Sequence, residues 1–436
     1  CAAVAGHQRG RGPAPPSLAE LRALPKVELH AHLSGSIKQE FLLQLMQERG
    51  QDTSGSGLPF DCMRDLDKAV DNCWVYFAKV AQLVTDLRTL RRCALHVLEA
   101  FAAENCVYLE LRTSPKEFVL ASDSPAGAAR KTSKQDYMRT IVEAIQEFRE
   151  AAPSPEAAAM EVRLLVSVDR GAARSLEDAR RIVNDVADLC LEFSEHCVGV
   201  DICGLPTKMT LEPFVFPALF ELRDARPGFF EQFPITCHTA ETPAQEREND
   251  LVVASLERLN IRRLGHVLFL TAAQRQAVRD RAASPRFGRI GIELCPTSNM
   301  VLRQDHDMRR HHFPLWYRPA CRRGADAARG AAAATERAPA EAIAAAPAVA
   351  PAAAPEDGPK ARKRGHAEAF CDDSGGVLVS VNTDDIGLFR TSLSKELHLI
   401  AHAFGLDLQA MRQLQLDALE SSFLRDKDFV RTRLFE

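Results

Sequence analysis

Nowhere in this chain does an apolar run reach the roughly 18 residues that a membrane-crossing helix requires, so no segment is expected to span a bilayer. An excess of one charge is missing too. The 55 lysines and arginines set against 59 aspartates and glutamates leave a formal charge of -4, too weak a field to draw the protein to nucleic acid or to an anionic membrane. No Cys-x-x-Cys occurs among the 12 cysteines, and Cys73, Cys106, Cys190, Cys203, Cys237 and Cys295 lie inside apolar segments. In a chain of this length that is the pattern of reduced, buried thiols, not of a disulfide framework, and it makes the cytoplasm the expected compartment. Residues 1–17 carry Gly, Pro, Arg and Ala without an apolar centre. They read as a disordered tail, not as a secretory signal.

What the chain does have is size and rhythm. Its 436 residues, 46% hydrophobic, can bury a large core, and one α/β barrel fills such a length once insertions are counted. Eight short strand-like segments stand out: 27–32, 107–112, 162–168, 198–203, 234–238, 263–267, 290–295 and 377–382. Most are followed by helical text, as at 133–151, 214–225, 244–259 and 392–404, and extra helices are expected at 18–24, 61–83 and 86–103. Alternation of this kind argues for parallel βαβ units, and eight units close a barrel. The expected fold is a single (β/α)8 TIM barrel over 18–436. A low-complexity, Ala/Pro/Arg-rich insertion at about 318–370 breaks the rhythm and reads as disordered. Its basic cluster, Lys360 to Arg364, reads as part of a solvated linker.

The unusual polar residues gather at the C-terminal ends of these segments, the rim where such barrels build active sites. They are His30 and His32, Arg112, Asp169, Gly204, His238, His266, Thr297 and Ser298, and Asp384 and Asp385. Residues two apart on a strand share a face, so His30 and His32 present two imidazoles side by side, as a zinc site needs. Such a pair alone is more often structural. His238 is a plausible third ligand and Asp384 a fourth. Glu241, three residues after His238, suits a proton donor, and His266 suits a group orienting a metal-bound hydroxide. Asp385 can exchange a hydrogen bond with a ligand, although an Asp-Asp pair also commonly caps a helix or sits in a turn.

His30-Ala-His32 with Leu33 and Gly35, Cys237-His238-Thr-Ala-Glu241, Gly265-His266, Ser298-Asn299 and Thr383-Asp384-Asp385, in this order, resemble the motif set of the adenosine deaminase family. Leu109-Glu-Leu-Arg112-Thr-Ser-Pro-Lys116 and His311-His-Phe-Pro-Leu-Trp-Tyr317 resemble its adenosine deaminase-like branch, which acts on N6-methyl-AMP and related nucleotides. The resemblance implies one Zn2+ held by His30, His32, His238 and Asp384, with Glu241 protonating purine N1 and His266 steering hydroxide onto C6. It further implies substrate contacts from His32, Ser34, the loop Thr113, Ser114, Pro115 and Lys116, and Asp169, Gly204 and Asp385. The expected ligand is a small purine nucleotide bound by a monomer. Ala81 stands where the branch carries a histidine and Leu205 where it carries a polar residue. Val267 stands where a small residue is usual, so a tilted His266 is one expectation. Adenosine as substrate, or a catalytically impaired purine-binding barrel, remain the alternatives on these residues.

Overall fold

The computed structural model describes residues 14–64, 66–120, 130–152, 154–204, 206, 209–317 and 376–435. The insertion expected at 318–370 and most of the expected tail lie outside the described residues. The tail's last residues are packed: Ser17 closes a capping box with Glu20, and the carbonyl of Pro16 accepts from His402 Nε2 at 3.2 Å. Among the described residues no helix is long and apolar enough to cross a membrane.

Eight parallel strands form one sheet in sequence order. They are β1 (Lys26–His32), β2 (Cys106–Thr113), β3 (Glu161–Asp169), β4 (Cys197–Cys203), β5 (Ile235–Thr239), β6 (Ile261–His266), β7 (Ile290–Leu294) and β8 (Val377–Val381). Each of these strands is buried over most or all of its length because helices cover the outside, the condition that parallel sheets demand. The helices begin where their caps say they should. Ser133 and Thr271 close capping boxes on Lys134–Ala151 and Ala272–Ala282, satisfying N–H groups that the helix itself cannot. The helix expected from residue 61 starts later, at Ala69, after a 3-10 turn at Leu66–Lys68.

The seam between β8 and β1 decides whether the ring closes. β8 pairs with β7 along its full length, whereas its contact with β1 is a single backbone bridge, Ala31 to Asp384. Side chains replace the missing ladder. Asn382 Oδ1 accepts the N–H of Leu29 at 3.1 Å, and Glu28 Oε2 accepts both the N–H and the hydroxyl of Thr383 at 3.0 and 2.8 Å. Buried backbone donors must find partners, so this stitching fixes Asp384 beside β1. β8, which leads into Asp384 and Asp385, is in register with β7, despite the insertion that precedes it.

Inside the ring the strands turn charge, not aliphatic side chains, toward one another. Glu28, His30, Glu110, Arg112, Asp201, Arg263 and Glu293 are all fully buried. They alternate with apolar residues that face the helices, such as Leu109, Leu111, Val200, Ile202, Leu264 and Ile292.

Candidate metal centre and purine site

His30, His32, His238 and Asp384 converge, each offering a ligand atom within 4.8 Å of the others. His238 Nε2 lies 3.2 Å from His30 Nε2 and 3.0 Å from His32 Nε2. Asp384 Oδ1 lies 3.7 and 3.6 Å from the same two nitrogens of β1. The partners behind the rings show what those nitrogens hold. His30 Nδ1 donates to Glu293 Oε2 at 2.5 Å, and His238 Nδ1 donates to the carbonyl of Ile202 at 3.0 Å. With both hydrogens placed on Nδ1, the Nε2 lone pairs of His30 and His238 point at each other, an arrangement that repels unless a cation lies between them. Ligands about 2.0–2.1 Å from zinc sit roughly 3.0–3.4 Å apart, so the donor set fits that ion.

A buried charge network holds these imidazoles. Arg112 donates to Asp201 Oδ1 at 2.9 Å, to Glu293 Oε2 at 3.0 Å and to the carbonyl of Leu29 at 2.7 Å. Burial pushes the carboxyls of Asp201 and Glu293 up, but Arg112, with His238 for the first and Arg263 for the second, outweighs it and leaves both lowered. Burial drives His30 and His32 well below the usual histidine range. Burial also draws His238 down, but Asp201, 3.2 Å from its Nδ1, leaves it raised. Arg112, read from the sequence as a rim residue, is thus a buried support beneath the candidate ligand cluster.

Glu241 follows Ala240, whose φ of +56° turns the chain out of β5. Its Oε1 is buried without a hydrogen-bond partner. Arg170 spans the base of this loop, donating to Glu248 Oε1 at 2.7 Å and to the carbonyl of His238 at 3.2 Å. His266 closes the cluster from β6, its Nε2 4.0 Å from Asp384 Oδ2. Burial presses it down to about 4. Gly265 is required by packing: a Cβ there would stand 2.7 Å from His30 Cε1. Ala240, His266, Val267 and Asp384 all adopt left-handed backbone at positive φ, a cost of about 1–3 kcal/mol each that concentrates at working sites. Val267 does not turn the imidazole away from the cluster. Its N–H donates to Thr239 and Gly265 carbonyls at 3.0 and 2.8 Å.

Asp385 is buried, with burial first and Asp384 second holding its carboxyl well above the usual range. Its Oδ1 has no partner and lies over Gly35, where a Cβ would come within 1.4 Å. Gly204, at φ +99°, adjoins Asp169: a Cβ there would meet Asp169 Oδ1 at 2.2 Å. That oxygen accepts the N–H of Gly171 at 2.8 Å. Ser34 is half-buried, and its carbonyl accepts from Tyr76 at 2.9 Å. The loop after β2 is more dispersed. Thr113 is hydrogen-bonded to the Tyr137 hydroxyl at 2.9 Å, and Ser114 and Pro115 are half-buried. Lys116 is exposed and borders a groove of about 600 Å³ with Lys134 and Arg181. Leu205 lies outside the described residues.

No role was read from the sequence for the residues behind the site: Asp201, Glu293, Arg263, Glu110, Arg170 and Asn299, the last of these quoted only within a motif. A signal existed. A charge in the middle of an apolar strand must be paired, and Val-Asp201-Ile and Ile-Glu293-Leu are such strands.

The chain matches the family model described as adenosine deaminase over residues 25–319 and 368–434. It is 30% identical over 295 residues to a Mus musculus protein named N6-methyl-AMP deaminase, covering 67% of this chain and 74% of that protein. With the Danio rerio protein of the same name it shares 27% over 404 residues, 92% and 91% of the two lengths. Among solved structures, Arabidopsis ADAL complexed with GMP is similar at a TM-score of 0.64 and 26% identity, covering 95% of this chain and 97% of that one.

Proposed function

Because the chain belongs to the adenosine deaminase family, we propose that it is a zinc-dependent hydrolytic deaminase of purine nucleoside monophosphates, converting N6-methyl-AMP and water to IMP and methylamine. The observation that carries the reading is the meeting of three imidazoles and Asp384 around one point, beside an unpartnered buried carboxyl oxygen on Glu241. Relatives named N6-methyl-AMP deaminase, and an Arabidopsis relative complexed with IMP, support the choice of substrate.

His30, His32, His238 and Asp384 would hold the zinc, which when bound would supply a water with its pKa brought to about 7. Glu241 holds a proton toward purine N1, which makes C6 electrophilic. His266 orients the attacking oxygen. Asp385 meets N7 and the N–H of Gly204 meets N3, while Asp169 contacts the sugar or phosphate end. His32 and Ser34 line the same end, and the loop from Thr113 through Ser114 and Pro115 to Lys116 meets the phosphate. Every group comes from one chain, so a monomer suffices. The nine described cysteines are free, as a reducing cytoplasm keeps them.

Action on unphosphorylated adenosine is favoured by two observations: the Thr113 hydroxyl is already bonded to Tyr137 and Lys116 stands exposed. Rates on N6-methyl-AMP, AMP and adenosine, with zinc quantified in the same preparation, separate the readings. Preference for N6-methyl-AMP with one zinc per chain is expected. Faster turnover of adenosine would overturn the nucleotide assignment, and a zinc-free, inactive protein would overturn the enzyme.

A further inference from the structure

The family reading gives His266 a task but does not say which of its nitrogens carries the hydrogen. We propose that Asn299 and His311 are positioning residues that lock His266 in its Nε2–H tautomer, so that it meets the attacking oxygen as a donor. The inference rests on the deaminase reading for what His266 faces, and on the hydrogen bonds alone for where its hydrogen sits.

Two backbone N–H groups fix every direction in the chain of contacts. The N–H of Cys295 donates to Asn299 Oδ1 at 3.2 Å, which settles which end of the amide is oxygen. The other end, Nδ2, stands 3.1 Å from His266 Nδ1. An amide nitrogen only donates, so His266 Nδ1 is the acceptor. The N–H of Phe313 donates to His311 Nδ1 at 3.0 Å. This leaves the hydrogen of neutral His311 on Nε2, where it reaches Asn299 Oδ1 at 3.1 Å. Donation therefore runs from His311 to Asn299 to His266, and the remaining hydrogen of neutral His266 is on Nε2, the nitrogen turned toward Asp384. All three side chains are buried, so solvent does not compete for these bonds.

His312 acts on the same residue from its other side, donating Nε2–H to the His266 carbonyl at 2.7 Å and holding a backbone that has φ +62°. The aromatic residues that follow explain why this turn stays put. Phe313 stacks on Tyr317 at 4.9 Å and on Phe404 at 5.2 Å between ring centres. The stretch His311 to Tyr317, absorbed by no catalytic role, thus serves the geometry of His266.

The test uses the full chain labelled with 15N-histidine and read by long-range 1H–15N correlation. The wild type is expected to show His266 with a bare Nδ1 and a protonated Nε2. Asn299→Asp offers Nδ1 an acceptor and is expected to place the hydrogen there. His311→Phe should loosen the preference, and His311→Gln, which keeps an N–H, should restore it, so the pair decides the matter if the Asn299 variant does not fold. In turnover of N6-methyl-AMP at saturating zinc, Asn299→Asp should lower kcat about tenfold to a hundredfold and move KM by less than about threefold. A wild-type Nδ1–H tautomer, or a tautomer unmoved by both Asn299→Asp and His311→Phe, would overturn the inference. Failure of the wild type to turn over any purine would instead remove the substrate reading, while the spectrum still decides the tautomer.

Discussion

Arg112 Nη1 and Asp201 Oδ1 meet at 2.9 Å with neither side chain reached by solvent. Asp201 in turn lies 3.2 Å from Nδ1 of His238, and the second amino group of Arg112 reaches Glu293, the acceptor of His30 Nδ1–H. One guanidinium therefore keeps charged the two carboxylates that lie behind two imidazoles of the candidate metal centre. Removing one member of a buried ion pair costs about 3–5 kcal/mol because its partner is left uncompensated. Supports of this kind are worth roughly 10- to 100-fold in metal affinity. Arg112→Gln is accordingly expected to lower unfolding stability and zinc affinity together, measured by denaturant titration and by competition with a chelator. Unchanged zinc affinity in a folded variant would show that the network serves stability alone.

Glu241 is not among the four converging ligand groups. Glu241→Gln keeps the shape and removes the transferable proton. It should lower kcat by about 10²- to 10⁴-fold while the purified protein still carries one zinc, checked by atomic absorption on the kinetic sample.

Gly265 leaves room for His30 and nothing more: an added Cβ would sit 2.7 Å from Cε1 of that ring. Gly265→Ala should displace His30 from the shared point, so zinc content should fall well below one per chain. Strand β6 should survive, because the neighbouring contacts are made by its backbone. Far-ultraviolet circular dichroism beside metal analysis checks both halves.

Acid should weaken the fold through His312. Burial lowers its pKa from 6.5 to about 4, so between those values the unfolded chain binds the proton and the folded chain does not. Stability is therefore complete above pH 6.5 and is lost as pH falls toward 4, by up to roughly 3 kcal/mol for this one group. His312→Gln keeps a donor for the His266 carbonyl and cannot titrate, so its stability should fall less over the same range. Urea unfolding of both proteins at pH 7 and pH 4.5 measures the difference.

Lys116→Ala tests the phosphate end. If the loop after β2 meets the 5′-phosphate, KM for N6-methyl-AMP should rise about tenfold while KM for N6-methyladenosine moves little, as expected for loss of one charge-assisted contact. Equal effects on both would remove the loop from phosphate recognition.

The strands and the rim were legible in the sequence because each leaves a local mark, and the four candidate ligands named there, His30, His32, His238 and Asp384, are brought together by the fold. A parallel strand shows as a short apolar run between helical texts. His30 and His32 must share a face because a strand repeats every two residues. The resemblance to a known motif order supplied His238, Asp384, Glu241 and His266 together. The helix start at Ala69, displaced from residue 61, was not legible, since Asp61 to Arg64 turn by capping themselves through the Asp61 carboxylate. Nor was the loop after β2, where the Thr113 hydroxyl finds Tyr137 on a helix that begins only at Lys134.

By itself the sequence determined most of the elements that form and where along the chain the chemically capable side chains fall, because helical and strand periods and residue types are local properties. Only the tertiary structure decided who supports whom. That Arg112 lies under the cluster and not at the rim, that Asn299 and His311 speak for the tautomer of His266, and that Glu28 and Asn382 close the seam are relations between distant strands. Each follows from the need of a buried polar group for a partner, and which partner it finds is set by where the closed barrel brings the chain together.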